Sequence, residues 1–169
     1  MRTILYMATS LTGKITSGEN DTSWVEESDV ERMDTEMVKC GVMVMGRTTY
    51  DSFGGDLPLG KALLVVMTHD KDLLSQSDDK LIFTDSTPKE ILNMLEAKGY
   101  TSVLLAGGEN LNSSFLKTNL IDEIRVIVKP LIIGNGKSLF NLPNYTQKLT
   151  FTTSTLLPDG VVELAYKVH

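Results

Sequence analysis

The sequence predicts an α/β fold: a central, mostly parallel sheet with antiparallel strands added at its C-terminal end. Three observations carry this reading. Short apolar runs alternate with segments of helical period from Arg2 to Thr118, the pattern of a parallel sheet covered by helices. The runs Val42–Met45, Ala62–Met67 and Ser102–Ala106 are apolar nearly throughout, as in strands buried on both faces. After Leu120 strand-like segments follow one another without an intervening helix.

In chain order, Arg2–Met7 reads as the first strand. Ser10–Ile15 is a turn built on Gly13, and Ser17–Asp21 is a polar loop without period. A helix starts near Ser28 or Asp29 and runs to about Cys40, with Val30, Met33, Met37 and either Val38 or Cys40 as its apolar stripe. The strand Val42–Met45 leads through Gly46 into a short helix ending at Phe53, followed by a loop over residues 54–61. After the strand Ala62–Met67, Asp72–Lys80 is polar and loose, and Leu81–Thr84 is a shorter strand. Thr87 and Glu90 form a capping box around Pro88, opening a helix that stops at Gly99. Gly107-Gly108 ends the strand Ser102–Ala106, and a helix covers Asn110–Thr118. Ile124–Val128, Lys148–Leu156 and Val161–Val168 are read as antiparallel strands at one edge, with Pro158-Asp159-Gly160 as the last hairpin turn.

Composition bounds the function. A chain of 169 residues, 41% hydrophobic and 22% charged, suits one globular domain over residues 1–169. A net charge of −6 argues against general nucleic-acid binding, which wants a basic face, yet leaves room for a phosphorylated cofactor held by a few local cations. Cys40 is the only cysteine, and His69 and His169 are the only histidines, so no zinc constellation and no metal are expected. No run approaches the ~20 apolar residues of a membrane helix, and no secretory leader is read at the N-terminus. The expectation is a cytoplasmic protein.

The chain is organised around Val42–Tyr50. A buried strand, a glycine, then Arg47, Thr48 and Thr49 at a helix start suit an anion, because free N–H groups and a planar guanidinium converge there. An ordinary β-α turn with a surface arginine is the other reading. Gly107 and Gly108 close a second buried strand and let backbone approach a ligand, although turn glycines would look the same. Asp29 follows a bulky aromatic at the start of an apolar-faced helix. In a partly apolar cleft such a carboxylate passes protons near neutral pH, whereas in an acidic cluster with Glu26, Glu27 and Glu31 it faces solvent. Two patterns are decoys. Gly55-x-x-x-x-Gly60-Lys61 has Ala62 where a triphosphatase loop needs Ser or Thr, and it opens a strand. Gly134-Asn135-Gly136 lacks the third glycine of a dinucleotide fingerprint.

Taken together these pieces resemble the dihydrofolate reductase superfamily, and most closely its riboflavin-biosynthesis reductase branch, the RibD C-terminal domain. The resemblance lies in the ordered set Ser10-Leu11-x-Gly13-x-Ile15, Trp24, Met45-Gly46-Arg47-x-Thr49-Tyr50, Leu57-Pro58-x-Gly60-Lys61, Gly107-Gly108, Asp122-Glu123 and Pro130-x-x-x-Gly134-x-Gly136-x-x-Leu139-Phe140. It implies a dihydrofolate reductase-like three-layer fold and an NADPH-dependent reductase. Gly46, Arg47, Thr48 and Thr49 would bind cofactor phosphates. Thr68 and His69, with Lys71 near, would flank the adenosine 2′-phosphate. Gly107 and Gly108, often joined by a cis peptide in the family, would lie against pyrophosphate and nicotinamide, followed by Glu109, Asn110 and Leu111. Asp29, five residues beyond Trp24, would be the proton donor or substrate anchor, and Trp24, Tyr50 and Phe53 would wall the substrate pocket. Two departures remove polar groups that riboflavin-type members often carry near a ribityl chain: Thr12 stands where they have Asp, and Ala106 where they have Glu. The resemblance implies hydride transfer to a pterin- or pyrimidine-like heterocycle in a homodimer, with 5-amino-6-(5-phosphoribosylamino)uracil as one candidate that these two departures count against. A non-catalytic nucleotide-binding protein of the same fold is the alternative.

Overall fold

The computed structural model describes residues 1–54 and 62–169. The loop at 55–61, with its triphosphatase-like pattern and the Leu57-Pro58 motif, lies outside the described residues. Eight strands form one sheet: β1 (Arg2–Ser10), β2 (Val42–Gly46), β3 (Leu63–Met67), β4 (Leu81–Thr84), β5 (Ser102–Leu105), β6 (Glu123–Lys129), β7 (Thr150–Leu156) and β8 (Val162–Lys167). Their spatial order is β4-β3-β2-β5-β1-β6-β8-β7. Five helices accompany them among the described residues: α1 (Glu27–Cys40), α2 (Arg47–Ser52), α3 (Lys71–Leu74), α4 (Pro88–Ala97) and α5 (Glu109–Lys117).

Strand pleating distributes the core to two faces. Val42 and Val44, Leu63 and Val65, and Val103 and Leu105 meet α4 and α5 through Ile91, Leu95, Leu111 and Phe115. The alternating residues Met43 and Met45, Leu64 and Val66, and Leu104 and Ala106 face the other way, onto Met37 and Cys40 of α1. The result is a three-layer sandwich with the sheet in the middle. Cys40, not Val38, completes the α1 stripe, since Val38 is 59% exposed.

The helix termini carry the expected chemistry in part. Thr87 and Glu90 form the capping box of α4, with Pro88 at its start. In α1 the box is made by Glu26 and Asp29, so the helix begins ahead of the expected Ser28 or Asp29. Two readings need correction. The segment Asp72–Lys80 is not wholly loose, because Asp70 accepts from the Asp72 N–H and caps the short helix α3. Strand β6 is not antiparallel to its neighbour in the parallel part of the sheet. It pairs parallel to β1 from Ile4↔Glu123 to Ser10↔Lys129, because α5 returns the chain to the same sheet end before β6 begins. Only β8 against β6, and β7 against β8, are antiparallel.

One buried ion pair ties the first helix to the far side of this sheet. Asp29 and Lys129 are 4% and 6% exposed. Lys129 Nζ donates to Asp29 Oδ2 at 2.8 Å and to Glu26 at 2.5 Å, and Asp29 Oδ2 also accepts the Glu26 N–H at 3.1 Å. Arg32 stands 3.4 Å from the other oxygen. Burial pulls the Lys129 ammonium down, but its bonds to Asp29 and Glu26 outweigh this, and the net direction is up. The amine therefore keeps its proton in the folded chain after the unfolded chain has released it. Its contribution to stability is complete below the ordinary lysine value of 10.5 and is lost as pH rises through the higher folded value. Asp29→Asn should cost about 2–3 kcal/mol, since it leaves a buried ammonium with Glu26 alone. The double variant Asp29→Asn, Lys129→Met should recover most of that loss, and Lys129→Met should flatten the alkaline limb of stability against pH. Urea unfolding at pH 7 and at pH 10–11 checks all three.

Candidate functional site

The carboxyl ends of the parallel strands open onto one cleft of about 500 Å³. Met7 of β1, Gly46 at the end of β2, Met67 at the end of β3, Thr84 at the end of β4 and Gly108 just past β5 all line it. This is where open α/β sheets bind ligands, because the helices that follow the strands point their N-termini into the same space.

Two of those helix starts have no side-chain cap. Gly46 precedes α2 and Gly108 precedes α5, and neither supplies an oxygen to the first free N–H groups. Such groups need an acceptor from elsewhere. The two turns also touch: the Gly46 N–H donates to the Gly107 carbonyl at 2.7 Å. The Gly107-Gly108 peptide is cis, as the resemblance implied. Gly107 has φ +86°, and a Cβ there would lie 2.6 Å from Met7 Sδ, so only glycine fits. Asn112, fully buried on α5, holds Met7 from behind, donating Nδ2 to its sulfur and to the Leu139 carbonyl.

The cleft brings together Gly46, Arg47, Thr48, Thr49, Thr68, His69, Gly108, Glu109, Asn110 and Leu111. Gly107, the neighbour of Gly108, is not among the lining residues. Lys71, at the start of α3, does not reach the lining. Arg47 and Lys137 are the cleft's cationic side chains among the described residues, against the carboxylates of Asp85 and Glu109. Arg47 is already engaged: its Nε donates to both oxygens of Asp51 at 2.7 Å, and Nη1 donates to Asp70 Oδ2 at 2.9 Å. Arg47, and after it the Asp72 N–H, holds the Asp70 carboxyl below its usual range. Glu109 Oε1 accepts the Ser138 N–H at 2.8 Å, fixing the start of α5 to the loop that carries Lys137.

The opposite wall comes from Ile15, Thr16, Asn20 and Lys137, which the sequence reading did not assign. Lys137 Nζ donates to Asn20 Oδ1 at 2.7 Å. The Gly134-Asn135-Gly136 segment has its explanation here. A Cβ on Gly136 would lie 1.9 Å from the Thr16 carbonyl, so this glycine lets the two loops pass and places Lys137. The signal was present as Gly136-Lys137, but without the Thr16 contact it reads as an ordinary loop.

The expected substrate residues are dispersed. Tyr50 packs edge-on against Phe83, with centroids 5.4 Å apart, and Phe53 lies on the same apolar layer. Trp24 lines a second, more open cavity with Ser17, Asp21 and the 131–135 segment, and its indole Nε1 is buried with no partner among the described residues. Asp29 lines neither cavity and is held by Lys129. Thr12, in place of the expected acid, clamps its loop instead, donating to the Ile133 carbonyl at 2.8 Å and accepting from the Ile133 N–H at 3.2 Å. Ala106 is a buried methyl at 4% exposure. No cluster of His, Cys, Asp and Glu suited to a metal occurs among the described residues, and none of the described helices is long and apolar enough to cross a membrane.

Comparison with known proteins agrees with this geometry. The chain is 25% identical to the uncharacterised protein YyaP of Bacillus subtilis over 98% of its own length and 94% of that protein's. It is 24% identical to the 2,5-diamino-6-ribosylamino-4(3H)-pyrimidinone 5′-phosphate reductase of Methanothermobacter thermautotrophicus, with 97% of each covered. A solved structure from Shewanella sp. PV-4, assigned to riboflavin biosynthesis, superposes with a TM-score of 0.83 at 25% identity, covering 100% of this chain and 99% of that one. The dihydrofolate reductase of Enterococcus faecalis shares the fold, with a TM-score of 0.74 at 16% identity over 99% and 96% of the two chains. The RibD C-terminal domain model matches residues 2–162. With that match running almost end to end over a sheet whose strand ends build this cleft, the chain belongs to the RibD C-terminal domain family.

Proposed function

We propose that this protein is an NADPH-dependent reductase acting on a pterin- or pyrimidine-like heterocycle. One observation carries the reading: two glycine-capped helix starts, at Gly46 and Gly108, face one cleft beside Arg47, and among the described residues no side chain caps their first N–H donors. That donor set suits a pyrophosphate and an additional phosphate. Gly46, Arg47, Thr48 and Thr49 would hold phosphate groups, Thr68 and His69 the adenosine end, and Gly108 through Leu111 the pyrophosphate and nicotinamide end. The bound nicotinamide would supply a hydride for a C=N or C=O bond. The chain's own contribution is positioning and exclusion of water by Met7, Ile15 and Leu111.

The relatives named above support a pyrimidine substrate class. The clamp at Thr12 and the methyl of Ala106 favour a heterocycle without a long polar chain, or one whose chain meets other residues. Trp24 borders the neighbouring cavity and would meet the substrate there, with Tyr50 and Phe53 behind the cofactor turn. Proton delivery would come from Asp29 only if substrate binding separated it from Lys129. The engagement of Asp29 with Lys129 also favours a second reading, a nucleotide-binding protein of this fold that does not turn over.

We also propose a homodimer in a cytoplasmic setting. Strand β7 is exposed along all seven residues, with Phe151 and Leu156 at 57% and 77%, and a second copy would cover that edge.

Calorimetric titration with NADPH should give binding in the micromolar range, and Arg47→Ala should weaken it by about tenfold or more, the size expected for a charged hydrogen bond to phosphate. Absence of binding would remove the reductase reading. Binding without NADPH oxidation across pterins, pyrimidines and flavins would favour the non-catalytic one. Light scattering should give twice the chain mass, and a monomer would refute the dimer.

A further inference from the structure

The strand-end acid Asp70 has no part in the cofactor site as read so far. It lies next to that site, on the residue after His69, and its position is built rather than incidental. Its backbone N–H donates to Thr68 Oγ1 at 3.1 Å, and Thr68 is itself buried at 8% exposure. Its Oδ1 accepts the Asp72 N–H at 3.0 Å and so starts α3. Its Oδ2 is thereby aimed at Arg47 Nη1, 2.9 Å away.

A guanidinium offers two edges on which an oxyanion takes a two-pronged grip. Asp51 occupies Arg47 Nε, on one edge, and Asp70 occupies Nη1, on the other. Asp51 lies one turn further along the same short helix. Asp70 arrives from the next strand, on the side where Thr68 and His69 line the cleft. A phosphate entering between Arg47 and those two residues gains a two-pronged grip on the Nη1/Nη2 edge only by displacing Asp70 from Nη1, and it also sits near a carboxylate that repels it. An unphosphorylated ribose meets neither cost, and a carboxylate at a strand end is a good acceptor for its hydroxyl groups.

We propose that Asp70 is a specificity-determining residue that lowers this site's preference for a 2′-phosphorylated adenosine, so that NADH is accepted alongside NADPH with only a modest difference. The proposal rests on the nicotinamide-cofactor reading of the cleft. It assigns Asp70 a role toward the ligand through Arg47, not contact with the reacting atoms.

The test is direct titration of the full chain and of Asp70→Asn with NADPH, NADH, 2′,5′-ADP and 5′-ADP at low salt. Asn keeps the helix cap, so the chain should stay folded, and loss of the ion pair should lower thermal melting by no more than a few degrees. An exposed ion pair competes only weakly for its partner, so Asp70→Asn should tighten NADPH and 2′,5′-ADP by about two- to fivefold. NADH and 5′-ADP should hold steady or weaken. In an Arg47→Ala background the tightening should vanish. Equal changes for the phosphorylated and unphosphorylated ligands, or tightening that survives Arg47→Ala, would overturn the role of Asp70 and leave the cofactor site standing. Failure of the unaltered chain to bind any of the four would overturn both.

Discussion

The site depends on a close approach of two backbone turns. Where β2 and β5 end side by side, the Gly46 N–H reaches the Gly107 carbonyl at 2.7 Å. Glycine is required here at one position: Gly107 stands at φ +86°, and a Cβ on it would strike Met7, whereas a Cβ on Gly46 or Gly108 would meet only ordinary contacts. The two helices that leave these turns therefore begin side by side with their N-termini in one space. Removing bulk from the turns also removes the side chains that would cap those helices. Glycine at both N-caps thus leaves the first N–H groups of the two helices without a side-chain acceptor from the cap residue.

Charge is arranged around this opening with unusual economy. The chain carries six more acidic than basic groups, yet the cleft walls hold Arg47 and Lys137 opposite one another, on the β2 turn and the 134–138 loop. Each is engaged by an oxygen of the protein itself, Arg47 by Asp51 and Asp70 and Lys137 by Asn20. These partners hold the cations in the cleft. They also mean that an anion reaching these cations would share them with an internal acceptor, so its affinity would be set against an existing polar interaction and not by a bare attraction. Asp29 follows the same logic at greater depth. Its partner Lys129 comes from a strand one hundred residues away, and the pair locks the start of α1 to the end of β6.

Much of the architecture was legible because it is written in local chemistry. The Thr87–Glu90 box, the glycine breaks at Gly46 and Gly107-Gly108, and the two-faced apolar strands each announce themselves within a few residues. The direction of β6 was misread because its flanks resemble those of the antiparallel strands that follow. The helix before it, long enough for a crossover, was the better guide. The strand-end positions that line the cleft were legible for the same reason as the turns: strand, glycine and polar residue occur in sequence. The rest of the cleft was not. Lys137 enters it only because Gly136 can lie against the Thr16 carbonyl, and nothing near either residue foretells that contact. Lys129 reads as an exposed charge at a strand end, and its burial is decided by the packing of α1.

The two departures at Thr12 and Ala106 bear on how such a scaffold changes substrate. Both positions are accounted for inside the protein. The Thr12 hydroxyl makes a two-way clamp to Ile133, and the Ala106 methyl completes a core layer next to Met45 and Leu104. An acid at position 12 could not donate to the Ile133 carbonyl when ionised, and a glutamate at 106 would have to leave the core for the cleft. Restoring either group would therefore alter local packing as well as polarity. The cleft borders the Gly107 turn, which admits little change, whereas the second cavity around Trp24 is bordered by the 17–24 and 131–135 loops, whose residues include the exposed apolar side chains of Leu131 and Ile132. Substitution is therefore structurally cheaper around the Trp24 cavity than at the Gly107 turn.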